Sequence, residues 1–287
     1  MRALLALGLC LACARSPLAA PPHPASAVLD IIDVGHGDSI LITSAAGKRL
    51  LIDGGEPEAA STISAALRAC GACPLDLILL THRHSDHLGG LRHVIEECGT
   101  RQFMDSGYRH DSRVYGRLLE TLEKHGIPLR RAEAGRQIDL GSGVVLTLLG
   151  PPQPSLDAPD GANANSVVSR LTVGKSSVLL VGDADFAEER WLLGREGDLR
   201  STVLKVGHHG SRTSTSAGFL RAVSPQLALV SNRPDDPKHP HPETVARLHE
   251  AKARILETAL EGTIHVELFP EAVTYRTVKH AQEIRLP

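Results

Sequence analysis

The sequence predicts one α/β domain layered helix–sheet–sheet–helix, an αββα four-layer sandwich, and three observations predict it. First, the chain returns again and again to a short run of Val, Ile and Leu that ends in a Gly or polar cluster. Runs of four to six such residues read as strands buried on both faces. Second, segments with helical apolar spacing alternate with those runs. Third, 287 residues with 42% hydrophobic content, balanced by 31 Lys+Arg against 33 Asp+Glu, suffice for a large core and exclude a disordered chain. The near-neutral balance offers no extended basic surface, so broad nonspecific nucleic-acid binding is not expected.

The elements follow in order. Met1 and Arg2 precede an apolar run from Ala3 to Ala12, then small residues and prolines to Ser26. This reads as a secretory signal peptide with its linker over residues 1–24, ahead of a domain over 25–287. The run is too short for a stable bilayer anchor, and no further transmembrane segment is expected. Cys13 is a candidate lipidation site, so the protein is expected to be secreted or periplasmic, with or without a lipid anchor. Strands are expected at 28–34, 40–43, 50–52 and 75–80, helices at 59–69, 88–97 and 112–125. Strands at 144–149 and 166–173 flank a long loop, and Gly174-Lys175-Ser176 turns the latter into a strand at 177–181. Strands at 203–206 and 227–230 alternate with helices at 217–223 and 242–253. Past the signal, Cys70, Cys73 and Cys98 leave an odd count, with a disulfide allowed by export but no pairing specified.

The chemistry concentrates in His82-x-His84-x-Asp86-His87. Residues two apart on an extended segment point the same way, so His82 and His84 can hold one ion. Asp86 and His87 open the next helix, where they can hold a second. Four ligand-type residues in six positions would be costly to bury unpaired. Asp183 ends a buried strand and is the expected bridging carboxylate. His208 or His209 can complete the second ion's shell; His208 is assigned as the ligand, and His209 joins Asp86 and Asp183 as a catalytic candidate. Asp53 is expected to orient a ligand rather than bind metal. Imidazole and carboxylate donors suit zinc first, two ions in all, with manganese or iron as alternatives. Such ions would lower the pKa of water from about 16 to roughly 7, giving hydroxide to attack an ester. Lys205, Ser211 and Arg212 suggest an anion pocket at a helix start. His239 and His241, in a Pro-rich loop, are candidates for substrate contact or general acid.

With these motifs, the Leu51-Ile52-Asp53-Gly54-Gly55 and Gly182-Asp183 strand ends resemble the metallo-β-lactamase-fold hydrolases. Asp33 to Ser39, Gly182 to Asp185, Leu204 to Ser211 and His239-Pro240-His241-Pro242-Glu243 are similar to the soluble domain of ComEC-type DNA-uptake competence proteins. Those relatives usually carry Gln where His36 stands and Asp where His84 stands. The wider superfamily places a further His where this chain has Asn163-Ala164-Asn165-Ser166, so Asn165 or water is expected to fill that gap. The resemblance implies a metal-dependent hydrolase of ester-like bonds, most simply a phosphodiester in a small molecule or a nucleic acid. β-Lactam, lactone or thioester cleavage at the same site is the alternative, and a noncatalytic metal-containing binding domain is a second.

Overall fold

A computed structural model describes residues 25–109, 112–195, 197–279 and 284–286. The expected signal peptide and Cys13 lie outside the described residues. The chain runs β1 (Ala27–Ile31), β2 (Ile40–Ser44), β3 (Arg49–Ile52), α1 (Ala60–Ala69), β4 (Leu77–Leu80), α2 (Ser85–Leu88), α3 (Leu91–Cys98), β5 (Phe103–Asp105), α4 (Arg113–Lys124) and β6 (Leu129–Arg131). It continues β7 (Gln137–Asp139), β8 (Val144–Leu148), β9 (Ser169–Val173), β10 (Ser176–Leu180), α5 (Phe186–Leu193), β11 (Val203–Lys205), α6 (Ala217–Val223) and β12 (Leu227–Val230). The last elements are α7 (Pro242–Glu250), β13 (Arg254–Glu257), α8 (Thr258–Glu261), β14 (Ile264–Phe269), β15 (Ala272–Thr277) and β16 (Ile284–Leu286).

Among the described residues the strands form two sheets, ordered β16-β15-β14-β1-β2-β3-β4-β5-β6 and β13-β12-β11-β10-β9-β8-β7. The pairs β3–β4, β4–β5 and β5–β6 are parallel, as are β10–β11, β11–β12 and β12–β13. Strand alternation distributes the side chains among three cores. Leu50, Ile52, Leu77 and Leu79 of the first sheet meet Val178, Leu180, Val203 and Leu229 of the second in a central core. Their neighbours Leu51, Ile78 and Leu80 pack outward on Ile63, Leu67, Leu91 and Val94 of α1 and α3. On the far side Leu179, Leu204 and Ala228 pack on Leu192, Phe219 and Leu248 of α5, α6 and α7. Three cores separate four layers, which is why the parallel strands read as unbroken apolar runs: both faces are covered.

The expected helix at 88–97 is divided. A short α2 starts earlier, at Ser85, and α3 begins only at Leu91. Gly89 and Gly90 join them where no side chain fits: a Cβ on Gly89 would lie 2.5 Å from Pro57 Cδ, and one on Gly90 would overlap the Gly54 carbonyl. Cys73 and Cys98 form a disulfide and Cys70 takes no part in it. Among the described residues no helix is long and apolar enough to cross a membrane.

Candidate metal centre

The parallel strands β3, β4, β10 and β11 end beside one another, and their following loops carry the polar motifs. The sheets meet there through the Val167 amide, which donates to the Thr81 carbonyl at 3.0 Å. Asp53, the residue after β3, sits at φ 59° and is fully buried. Its Oδ1 accepts from the Thr81 amide and its Oδ2 from Thr81 Oγ1, both at 2.7 Å. Asp53 Oδ2 also holds His87 Nδ1 at 2.7 Å, which directs His87 Nε2 away, into the site. A carboxylate behind an imidazole fixes the tautomer and orientation of a metal-binding histidine.

His87 Nε2 meets three groups: His209 Nε2 at 3.3 Å, Asp183 Oδ1 at 3.3 Å and Asp86 Oδ2 at 3.6 Å. His209 Nε2 lies 3.2 Å from Asp86 Oδ2 and 3.6 Å from Asp183 Oδ1, while its Nδ1 is committed to the Ser231 carbonyl at 3.1 Å. Donors about 2.0–2.1 Å from a tetrahedral zinc stand about 3.3 Å from one another. These four atoms have that spacing. Asp183 Oδ1 is buried without a hydrogen-bond partner, although two imidazole nitrogens face it. A cation among them would satisfy every member, so the residues fit a metal ion.

The other oxygen of Asp183 faces a different set. Asp183 Oδ2 lies 3.7 Å from His82 Nε2 and 3.9 Å from His208 Nε2. His82 Nε2 is 3.1 Å from His84 Nδ1, and Thr81 Oγ1 stands 3.1 Å behind His82 Nδ1. Asp183 thus stands between His82, His84 and His208 on one side and Asp86, His87 and His209 on the other. His208 and His209 reach opposite sides because both occupy left-handed backbone, at φ 47° and 52°. Two consecutive non-glycine residues there cost about 1–3 kcal/mol each, strain characteristic of functional sites.

Charge follows this geometry. Burial alone would raise Asp183 and Asp86, but the His87 and His209 imidazoles hold both carboxyls far below the usual range. Burial, then the neighbouring His87, keeps His82 well below the ordinary imidazole value and therefore neutral. Against burial, Asp183 and Asp86 push His87 well above its ordinary value and raise His209. The pocket draws positive charge, a demand that a divalent ion meets in place of protons.

The positions of the other expected site residues are as follows. His209, expected in catalysis or as the alternative to His208 in the second ion's shell, stands in one cluster of potential donors with Asp86, His87 and Asp183. Lys205, expected at a substrate, is fully buried, with Nζ 2.9 Å from Asp38 Oδ1 and donating to the Val206 carbonyl at 3.2 Å. Asn165 is equally buried and secures the preceding loop, donating to the Leu156 and Gly161 carbonyls at 3.0 and 2.8 Å. Asn163 reaches the site instead, its Nδ2 3.3 Å from His208 Nδ1. Ser211 Oγ lies 3.1 Å from Thr213 Oγ1, and Arg212 is exposed at the mouth of that turn. His239 faces Asp236, and His241 caps α7 by accepting from the Glu243 amide.

Three residues escaped sequence reasoning. Arg83, inside the histidine motif, turns away to pair with Asp105 at 2.9 Å and stacks 3.7 Å above Tyr115, pinning the loop between His82 and His84. Asp38 neutralises Lys205, and the preceding Gly37, at φ 106°, lies so close to the Asp86 carbonyl that a Cβ would overlap it. Asp236 gathers His36 and His239. Only Arg83 and Asp38 carried a signal, each lying within a motif.

Two facing sheets thus carry a histidine–aspartate centre at their shared edge. The chain belongs to the metallo-beta-lactamase superfamily, whose pattern residues 32–232 match. It is 34% identical over 257 residues to competence protein ComA of Neisseria gonorrhoeae, covering 88% of this chain and 33% of that protein. It is 26% identical over 255 residues to ComE operon protein 3 of Bacillus subtilis (strain 168), covering 82% of this chain and 32% of that one. The chain therefore spans about a third of the length of these relatives. The metallo-beta-lactamase fold protein YhfI from Bacillus subtilis superposes with a TM-score of 0.51 at 15% identity, over 80% of this chain and 95% of that structure. At that identity the likeness concerns the fold alone.

Proposed function

We propose that this chain is an exported, metal-dependent phosphodiesterase or nuclease. The observation that carries the reading is Asp183, whose two oxygens face two separate sets of imidazoles. His82, His84 and His208 would hold one divalent ion with Asp183 Oδ2, and Asp86, His87 and His209 a second with Oδ1. Zinc fits these donors best, and manganese or iron is compatible. Such ions supply Lewis acidity and a nucleophile at neutral pH.

The chain's own residues prepare the site for that chemistry. Asp53 and the Ser231 carbonyl occupy the Nδ1 atoms of His87 and His209, so both Nε2 lone pairs face inward. Burial of His82, His87, Asp183 and His209 keeps water from competing for the donors. Exposed Arg212, with Ser211, is the available anchor for a phosphate beside the His208 turn. Similarity to competence proteins supports a nucleic-acid substrate, and the near-neutral charge supports one docked locally rather than along a long surface. The Cys73–Cys98 disulfide and the apolar N-terminal run support export.

The test is turnover of bis(p-nitrophenyl) phosphate and a chromogenic cephalosporin, side by side, by protein loaded with zinc or manganese. Phosphodiester cleavage that disappears in Asp183→Asn is the expected result. Cephalosporin turnover alone would move the activity to lactams, and bound metal with neither turnover would make the chain a binding domain.

A further inference from the structure

We propose that His36, Asp236 and His239 form a third divalent-cation site, of the zinc class, on the rim of the centre. Asp236 Oδ2 lies 3.4 Å from His36 Nδ1 and 3.5 Å from His239 Nδ1, and one donor atom from each residue falls within 4.8 Å of the others. The two carboxylate–imidazole separations match the edges of a tetrahedral zinc shell, as in the main centre. Both Nδ1 atoms are buried and neither has a hydrogen-bond partner. Asp236 is held by its own loop, its Oδ1 accepting from the Lys238 and His239 amides at 2.8 and 3.3 Å, which leaves Oδ2 aimed at the two rings. The side chain is 4% exposed.

Direct ion pairing explains this arrangement less well. Two imidazoles compete for one carboxylate oxygen, neither within hydrogen-bond geometry. The Arg233 guanidinium stands 3.8 Å from the same oxygen, but its side chain is 59% exposed and free to swing into solvent. Three protein donors with a remaining open position are the arrangement of zinc sites that keep a place for water or substrate. The other face of His36 looks inward, with Nε2 3.4 Å from Asp86 Oδ2, so one imidazole ring joins the rim site to the main centre. The rim site does not depend on which bond the centre cleaves.

Zinc stoichiometry of the full chain tests this. Protein saturated with zinc, freed of loosely bound metal and measured by plasma mass spectrometry, should carry three ions per chain. Asp236→Asn and His36→Gln should each lower that number to two, with circular dichroism confirming an unchanged fold. A wild-type chain that carries no more zinc than either variant overturns the proposal, and where one variant fails to fold the other decides. A third ion that persists in both variants overturns it as well, because it then sits elsewhere.

Discussion

Replacing Lys205 with Met separates a buried structural role from substrate binding. The Lys205 ammonium and the Asp38 carboxylate are 2.9 Å apart with side chains 0% and 2% exposed, so neither exchanges its partner for water. Burial alone would raise Asp38, yet Lys205, followed by His209, holds it below its ordinary value and ionised. Met keeps the volume of the side chain and removes the charge, leaving Asp38 with the imidazoles of His209, whose Nδ1 lies at 3.6 Å, and His87. Breaking a buried pair from one side costs about 3–5 kcal/mol, against a total stability of about 5–15 kcal/mol for a domain. Urea unfolding followed by circular dichroism should show a loss of that size in Lys205→Met. Asp38→Asn in the Lys205→Met background should recover much of it, because the orphaned charge is gone. A stability within about 0.5 kcal/mol of wild type, together with a raised KM for a phosphodiester, would refute the buried-pair account and restore Lys205 to the substrate.

Two further outcomes follow from the same geometry. Asp53→Asn weakens the acceptor behind His87 Nδ1, and zinc affinity measured by competition with a chelator should fall by about 10–100-fold while the fold persists; unchanged affinity would contradict the orienting role. Glu189 is buried beneath the Thr215 and Ser216 amides, and burial pushes its carboxyl up to about 7 from 4.5. A raised carboxyl stabilises the fold fully below the unfolded value and loses that contribution as pH rises through the folded one, a change of about 3 kcal/mol between pH 4.5 and 7. Relative to wild type, Glu189→Gln should therefore gain about that much stability between pH 5 and pH 8; an equal difference at both pH values would contradict it.

The legible parts of the fold are those fixed by local pattern. β10, β11 and β12 are buried on both faces, so their apolar runs are continuous and their polar ends mark the site. β6 and β7 close the sheets as edge strands with largely exposed residues, and nothing in Leu129–Arg131 or Gln137–Asp139 distinguishes them from loop. In β14 the apolar Ile264, Val266 and Leu268 alternate with His265 and Glu267, a half-covered strand that a search for unbroken apolar runs passes over.

The site divides in the same way. His82, His84, Asp86 and His87 lie within six positions, and their spacing alone brings them together. The division of labour between His208 and His209 depends on two consecutive left-handed residues, which no spacing rule encodes. Lys205 beside two histidines suggests an anion contact until the tertiary fold supplies Asp38. The meeting of His36 with Asp236 joins distant loops and had no sequence signal.

The most direct measurement is an anomalous difference map, recorded at the zinc edge from crystals of the zinc-loaded chain. A peak is expected on each side of the Asp183 carboxylate, one among His82, His84 and His208 and one among Asp86, His87 and His209. A map with no peak against either Asp183 oxygen would contradict that expectation.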